Sequence, residues 1–76
     1  MPTFNYTVDG EPQQTHEHEL TPDQILRNAS LDPATHYLVE IKGSTKESFQ
    51  GRGSVEIRMH DHLVFISVFT GPTPVS

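Results

Sequence analysis

The sequence predicts a single α+β domain, in which strands before and after one helix build a sheet. Three features carry this prediction: an alternating segment near the N-terminus, a group of helix-start signals near residue 21, and an almost wholly apolar segment near the C-terminus. The 76 residues leave room for one domain with a small core. Because the chain has no cysteine, that core must depend on packing rather than on disulfides or a cysteine zinc site.

The N-terminal segment predicts a β-hairpin. Alternate residues from Phe4 to Val8 are apolar, which is typical of a strand with one buried face. Asp9-Gly10 follows as a hairpin turn. The polar, roughly alternating segment 11–20 then predicts an edge strand that returns antiparallel to the first.

A helix is predicted to begin at Thr21. This residue is a suitable N-cap, Pro22 occupies the first helical position, and Gln24 stands where a capping box requires it. The short apolar stripe that follows can cover one face of a sheet. Asp32-Pro33 then ends the helix, after about two to three turns.

Two further strands are predicted in the second half of the chain. Segment 36–42 alternates, with Tyr37, Val39 and Ile41 on one face and Leu38, Glu40 and Lys42 on the other. We expect Glu40 to lie on a solvated face of its strand. Residues 44–53 are polar and irregular, and 55–59 form one short alternating element. Segment 63–69 is almost wholly apolar and predicts a central strand.

This order of elements resembles that of ubiquitin-like β-grasp proteins. The segments most similar to the bacterial multiubiquitin-type domains are Tyr6–Gly10, Leu20–Leu26, Leu31–Pro33 and Tyr37–Val39. The resemblance implies an α+β, β-grasp (ubiquitin-like) domain over residues 1–70, with a mixed four- to five-stranded sheet packed on one helix. It also implies a flexible C-terminal tail over residues 71–76.

The resemblance further implies a protein modifier that is joined to target proteins through its C-terminus. The partners would be an activating enzyme, a conjugating enzyme and a processing peptidase of a bacterial pathway. Such modifiers usually end in Gly-Gly, and this chain does not. Either a peptidase trims the tail before Pro72, so that the chain ends at Gly71, or attachment uses Ser76. The alternatives are a ubiquitin-like interaction domain that is never conjugated and, less favoured, a sulfur carrier of the same fold.

The last predicted strand also suggests a binding surface. Successive side chains of a strand point to opposite faces, so one apolar set of this strand must lie away from the helix. If Leu63 and Phe65 face the helix, a partner-binding patch remains on the other face, formed by Leu38, Val64, Ile66 and Val68. The alternative is that loops or a neighbouring domain bury this face.

Charge and hydropathy argue against two classes of partner. The formal charge of −5 opposes binding to nucleic acid or to an anionic membrane surface. No apolar stretch reaches the ~20 residues that span a bilayer, and the N-terminus does not have the pattern of a secretory signal. We therefore expect a cytoplasmic protein that binds neither nucleic acid nor membrane.

No motif indicates catalysis, a cofactor or a metal. The pairs His16/His18 and His60/His62 are more typical of solvated strand faces than of a zinc site, which needs about four ligands at set spacing. Segment 51–54 lacks the length and the lysine of a phosphate loop. Lys42 and Lys46 are the two lysines and hence the candidate acceptors if the modifier forms chains.

Overall fold

A computed structural model of the chain describes residues 2–71. Its elements are β1 (Phe4–Val8), β2 (Glu11–Thr15), β3 (Glu19–Leu20), α1 (Pro22–Asn28), β4 (His36–Lys42), β5 (Thr45–Ser48), β6 (Ile57–Arg58) and β7 (Leu63–Phe69). The main sheet has the order β2-β1-β7-β4-β5, and β3 pairs with β6 in a separate two-stranded sheet. Strands β1 and β7 are parallel, and the other pairs are antiparallel. A five-stranded mixed sheet against one helix confirms the predicted α+β, β-grasp-like fold class.

Local sequence signals explain the turn and the helix. Asp9 and Gly10 have φ of 54° and 81°, the left-handed geometry that a two-residue hairpin turn requires. At the start of α1 the Gln24 N–H donates to Thr21 Oγ1 at 3.2 Å, and the Thr21 N–H donates to Gln24 Oε1 at 2.8 Å. This capping box confirms the predicted helix start, because it satisfies two N–H groups that the helix cannot pair.

The strands differ from the prediction in two places. Segment 11–20 is not one edge strand: β2 ends at Thr15, and β3 leaves the main sheet to pair with β6. The Met59 N–H donates to the His18 carbonyl at 2.8 Å, which continues the contact between these two segments. The polar segment 44–53 contains β5, which pairs with β4. The first difference arises from pairing between distant segments, and the second from a tight hairpin in which Lys42 pairs with Thr45.

The core lies between α1 and one face of the main sheet. Its buried members come from all parts of the fold: Tyr6, Val8, Leu20, Ile25, Leu26, Leu38, Phe49, Ile57, Met59, Leu63 and Phe65. Because β3, β6 and the loops beside them contribute to this same cluster, they close the helix side of the sheet. The opposite face of β7 carries Val64, which is 42% exposed. Within residues 2–71 no helix is long and apolar enough to cross a membrane.

Candidate functional site

The sheet face opposite α1 carries an apolar strip on the two strands β4 and β7. We call it the open face, and its members are Tyr37, Val39, Ile41, Val64, Ile66 and Val68. They form three cross-strand pairs in the antiparallel register: Tyr37 with Val68, Val39 with Ile66, and Ile41 with Val64. Paired side chains on one face of a sheet lie in contact, so the six residues form a continuous apolar surface.

Exposure varies along the open face. Val64 is 42% exposed, whereas Val39 is only 7% exposed because it lies among its apolar neighbours. The strip is bordered by Thr7 on β1 and by Lys46 on β5, which oppose Val64 and Ile41 respectively. Within residues 2–71 no other element packs over this apolar strip. An apolar strip with a polar rim is typical of protein interaction sites.

A groove of about 530 Å³ opens at one end of this face. Its lining includes Asn5, Thr7, Pro12, Gln14 and Val64. The Gln14 side-chain amide donates to Asn5 Oδ1 at 3.0 Å, which fixes both side chains on the polar side of the groove. The open face therefore combines an apolar strip with an adjoining concavity that can accept a protruding side chain.

The position predicted for Leu38 is wrong. Leu38 pairs with Ser67, on the face that Phe65 shares, and is fully buried in the core. Val64, Ile66 and Val68 do lie on the open face, as predicted. Their neighbours on β4 are Tyr37, Val39 and Ile41, which the predicted patch omitted. The alternation of β4 grouped these three residues correctly, but the sequence does not reveal which face of β4 meets which face of β7.

Glu40 differs from its expected position for the same reason. It points to the helix side of the sheet and is 8% exposed, rather than lying on a solvated face. Its cross-strand neighbours on that side are Phe65 and Glu47.

The chain leaves the sheet at a fixed point. Three donors converge on the Thr35 carbonyl: the Thr70 N–H at 2.7 Å, the Thr70 hydroxyl at 3.1 Å and the Gly71 N–H at 3.4 Å. Gly71 has φ of 70°, and a Cβ added there would lie 3.1 Å from the Phe69 ring. Gly71 is therefore held in a bend that suits glycine. The predicted attachment residues Pro72 and Ser76, with the rest of 72–76, lie outside the described residues.

The two candidate acceptor lysines have different surroundings. Lys42 Nζ donates to Glu47 Oε1 at 2.6 Å, and this hydrogen bond, together with the charges of Glu40 and Glu47, raises the pKa of Lys42. The same contact lowers the pKa of Glu47. Lys46 is exposed and lies on the rim of the open face beside Ile41. The side-chain amine of Lys42 is therefore engaged by Glu47.

The histidines are dispersed over the surface. His16, His18, His60 and His62 are all exposed, and within residues 2–71 no group of three or more histidine or carboxylate side chains could hold a metal ion. His16 Nδ1 lies 3.1 Å from the Pro2 carbonyl, a contact within the N-terminal hairpin.

Comparisons with models of protein families, with curated protein sequences and with solved structures find no match to this chain.

Proposed function

We propose that the chain is a ubiquitin-like protein modifier, attached to target proteins through its C-terminus by partner enzymes of a bacterial, cytoplasmic pathway. The observation that carries the proposal is the open face of Tyr37, Val39, Ile41, Val64, Ile66 and Val68 on a β-grasp-like fold. An apolar strip on a small domain with an acidic surface suits recognition by several enzymes in turn.

The chemistry of attachment would belong to the partners. An activating enzyme joins the C-terminal carboxylate to the α-phosphate of ATP and releases pyrophosphate. The acyl group then passes to a carrier as an ester or thioester, and a conjugating enzyme transfers it to an amine of the target. This modifier would contribute its carboxylate and its recognition surface, and no cofactor.

The contacts of Thr70 and Gly71 bear on the choice of attachment point. A peptidase or an adenylating site takes up an extended segment of several residues. Phe69 still belongs to β7, and Thr70 and Gly71 are bound to Thr35, so a cut after Gly71 would leave little free length. These contacts favour attachment through Ser76 over trimming before Pro72.

The same contacts favour a second candidate, a ubiquitin-like interaction domain that is never conjugated. A domain of this kind needs only the open face, and it gains from a last strand whose C-terminal end is held at Thr35.

Incubation of the purified chain with a clarified lysate of its native cells, with and without ATP, separates the two candidates. Intact-mass analysis should find covalent adducts of the chain that form with ATP and are absent without it. A matched control chain that ends at Thr70 should form no adduct. An unchanged mass, together with non-covalent partner binding that Val64→Asp abolishes, would establish the second candidate instead.

A further inference from the structure

A second concavity lies on the helix side of the sheet, between β4, the segment around β6 and the start of β7. It has a volume of about 690 Å³. Phe49, Ile57 and Leu63, each at most 7% exposed, form its apolar part. Glu40 lines it as well, and we call it the Glu40 groove.

Glu40 is the unusual member of this groove. More than nine-tenths of the residue is buried, yet within residues 2–71 no hydrogen bond and no ion pair closer than 4.0 Å reaches its carboxylate. Among those residues, Tyr6 Oη is the sole fully enclosed side-chain polar atom without a partner. The oxygens of Glu40 therefore keep contact with the space in the groove. A carboxylate in such surroundings gains strongly from a cation that donates to it, because burial has removed most of its water.

The nearest cation to Glu40, the ammonium of Lys42, binds another carboxylate. Lys42 lies two residues away on the same face of β4, and its charge attracts Glu40. Its ammonium nevertheless donates to Glu47 at 2.6 Å, and its side chain is 50% exposed. Glu47 is also the cross-strand neighbour of Glu40, so the two carboxylates share one lysine.

The charges around the groove favour a cationic ligand. Three carboxylates line it, from Glu40, Glu47 and Glu56, against the two cations Lys42 and Arg58. The imidazoles of His60 and His62 complete its polar lining. An anionic ligand would meet the excess of carboxylates, and a metal ion would lack ligands, since no suitable cluster exists within residues 2–71. An organic cation with an apolar stem would use both the carboxylate and the apolar wall.

We propose that the Glu40 groove binds a primary alkylammonium group. The ammonium donates to the Glu40 carboxylate, and the methylene stem lies against Ile57 and Leu63. A lysine side chain of a partner protein and a free diamine share this chemistry. The site lies on the other side of the sheet from the open face, with which its lining shares Ile41. It does not depend on attachment of the C-terminus.

Titration of the ¹⁵N-labelled full chain by NMR at constant ionic strength tests the proposal. The probes are Nα-acetyl-lysine N-methylamide and cadaverine, with sodium chloride as the ionic control. Both amines should give saturable shifts that are centred on Glu40, Ile57 and Leu63. Tighter binding of the lysine derivative would identify a protein side chain as the ligand, and tighter binding of cadaverine would identify a free diamine.

Glu40→Gln should weaken amine binding about tenfold or more, because it removes a charged acceptor and keeps the shape of the side chain. The matched control is Glu11→Gln, which removes an exposed carboxylate on β2. This variant should bind the amines as tightly as the unmodified chain does. If Glu40→Gln fails to fold, Lys42→Gln serves instead: it removes the competing ammonium and should tighten binding. The proposal is overturned if the shifts rise linearly with amine concentration or if sodium chloride reproduces them. It is also overturned if neither groove variant alters the shifts, in which case water is the partner of Glu40.

Discussion

The Asp9 carboxylate accepts two hydrogen bonds from Ser67, one from its backbone N–H at 2.8 Å and one from its hydroxyl at 2.5 Å. Strand β1 ends at Val8, whose partner in the parallel pair is Phe65. The Asp9 side chain thus accepts a hydrogen bond from the Ser67 N–H, just beyond the last residue pair of β1 and β7. Because Asp9 lies in the β1–β2 turn, this contact ties the hairpin to the central strand and fixes the register between them.

A double-mutant cycle on Asp9→Ala and Ser67→Ala measures this contact. The backbone strain of alanine at φ 54° occurs in both arms of the cycle and cancels from the coupling. We expect a coupling free energy of about 1.5–3 kcal/mol from urea unfolding, the magnitude of a hydrogen bond to a charged group. Additive free-energy changes would show that the hydroxyl contact contributes nothing to stability.

The two faces of the sheet should respond differently to substitution. Leu38→Ala removes a fully buried side chain and should lower the free energy of unfolding by about 2–5 kcal/mol. Val64→Ser, on the open face, should lower it by less than about 1 kcal/mol. Chemical denaturation of both variants checks the assignment of faces. Equal losses would mean that the open face is covered in solution.

How much of this arrangement could be predicted depends on the range of the interactions. The capping box of Thr21 and Gln24 and the turn at Asp9 are local, and the sequence predicted both. The face of β4 is set by its pairing with β7, and both strands carry apolar residues on both faces. The alternation of β4 therefore identified its two sets of residues but not their orientation, which placed Leu38 and Glu40 on the wrong sides.

The split of segment 11–20 has the same origin. Leu20 pairs with Ile57, which lies far from it in the sequence, and no residue near Leu20 predicts this pairing. The open face could be inferred in outline from the last strand alone, but half of its members could not.

The contacts at Thr35 can be tested by hydrogen exchange. Gly71→Ala places a Cβ against the Phe69 ring in a left-handed conformation, which disfavours the bend. We expect the Thr70 amide to exchange slowly in the unmodified chain and faster in the variant, while the amides paired between β4 and β7 keep their protection. Equal exchange of the Thr70 amide in both chains would show that the bend does not hold the end of β7.

Stability should fall in alkaline solution through Tyr6. Its hydroxyl is buried without a hydrogen-bond partner among residues 2–71, and this burial raises its pKa although the nearby Asn28 amide opposes the shift. In the unfolded chain the Tyr6 hydroxyl ionises near the ordinary tyrosine pKa, whereas in the folded chain it ionises only at higher pH. The contribution of Tyr6 to the free energy of unfolding is therefore fully present below the ordinary tyrosine pKa. It is lost as the pH rises through the higher pKa of the folded chain.

Tyr6→Phe isolates this effect from that of Lys42, whose raised pKa acts in the same direction. The free energy of unfolding should change little at neutral pH, because the hydroxyl has no partner to lose. Its decline with rising pH should become shallower than in the unmodified chain, as measured by denaturation at a series of alkaline pH values. An unchanged slope would show that Tyr6 ionises equally in both states.

Mapping the linkage by mass spectrometry tests the attachment of the C-terminus most directly. Chymotrypsin cuts after Phe69, so a target joined to the intact chain would carry residues 70–76 on a lysine. A target joined after trimming would carry only Thr70 and Gly71. We predict ATP-dependent remnants that end at Ser76 in native cells that express the chain. If conjugate-enriched samples contain neither remnant while the free chain is readily detected, the claim that this protein is a modifier is contradicted.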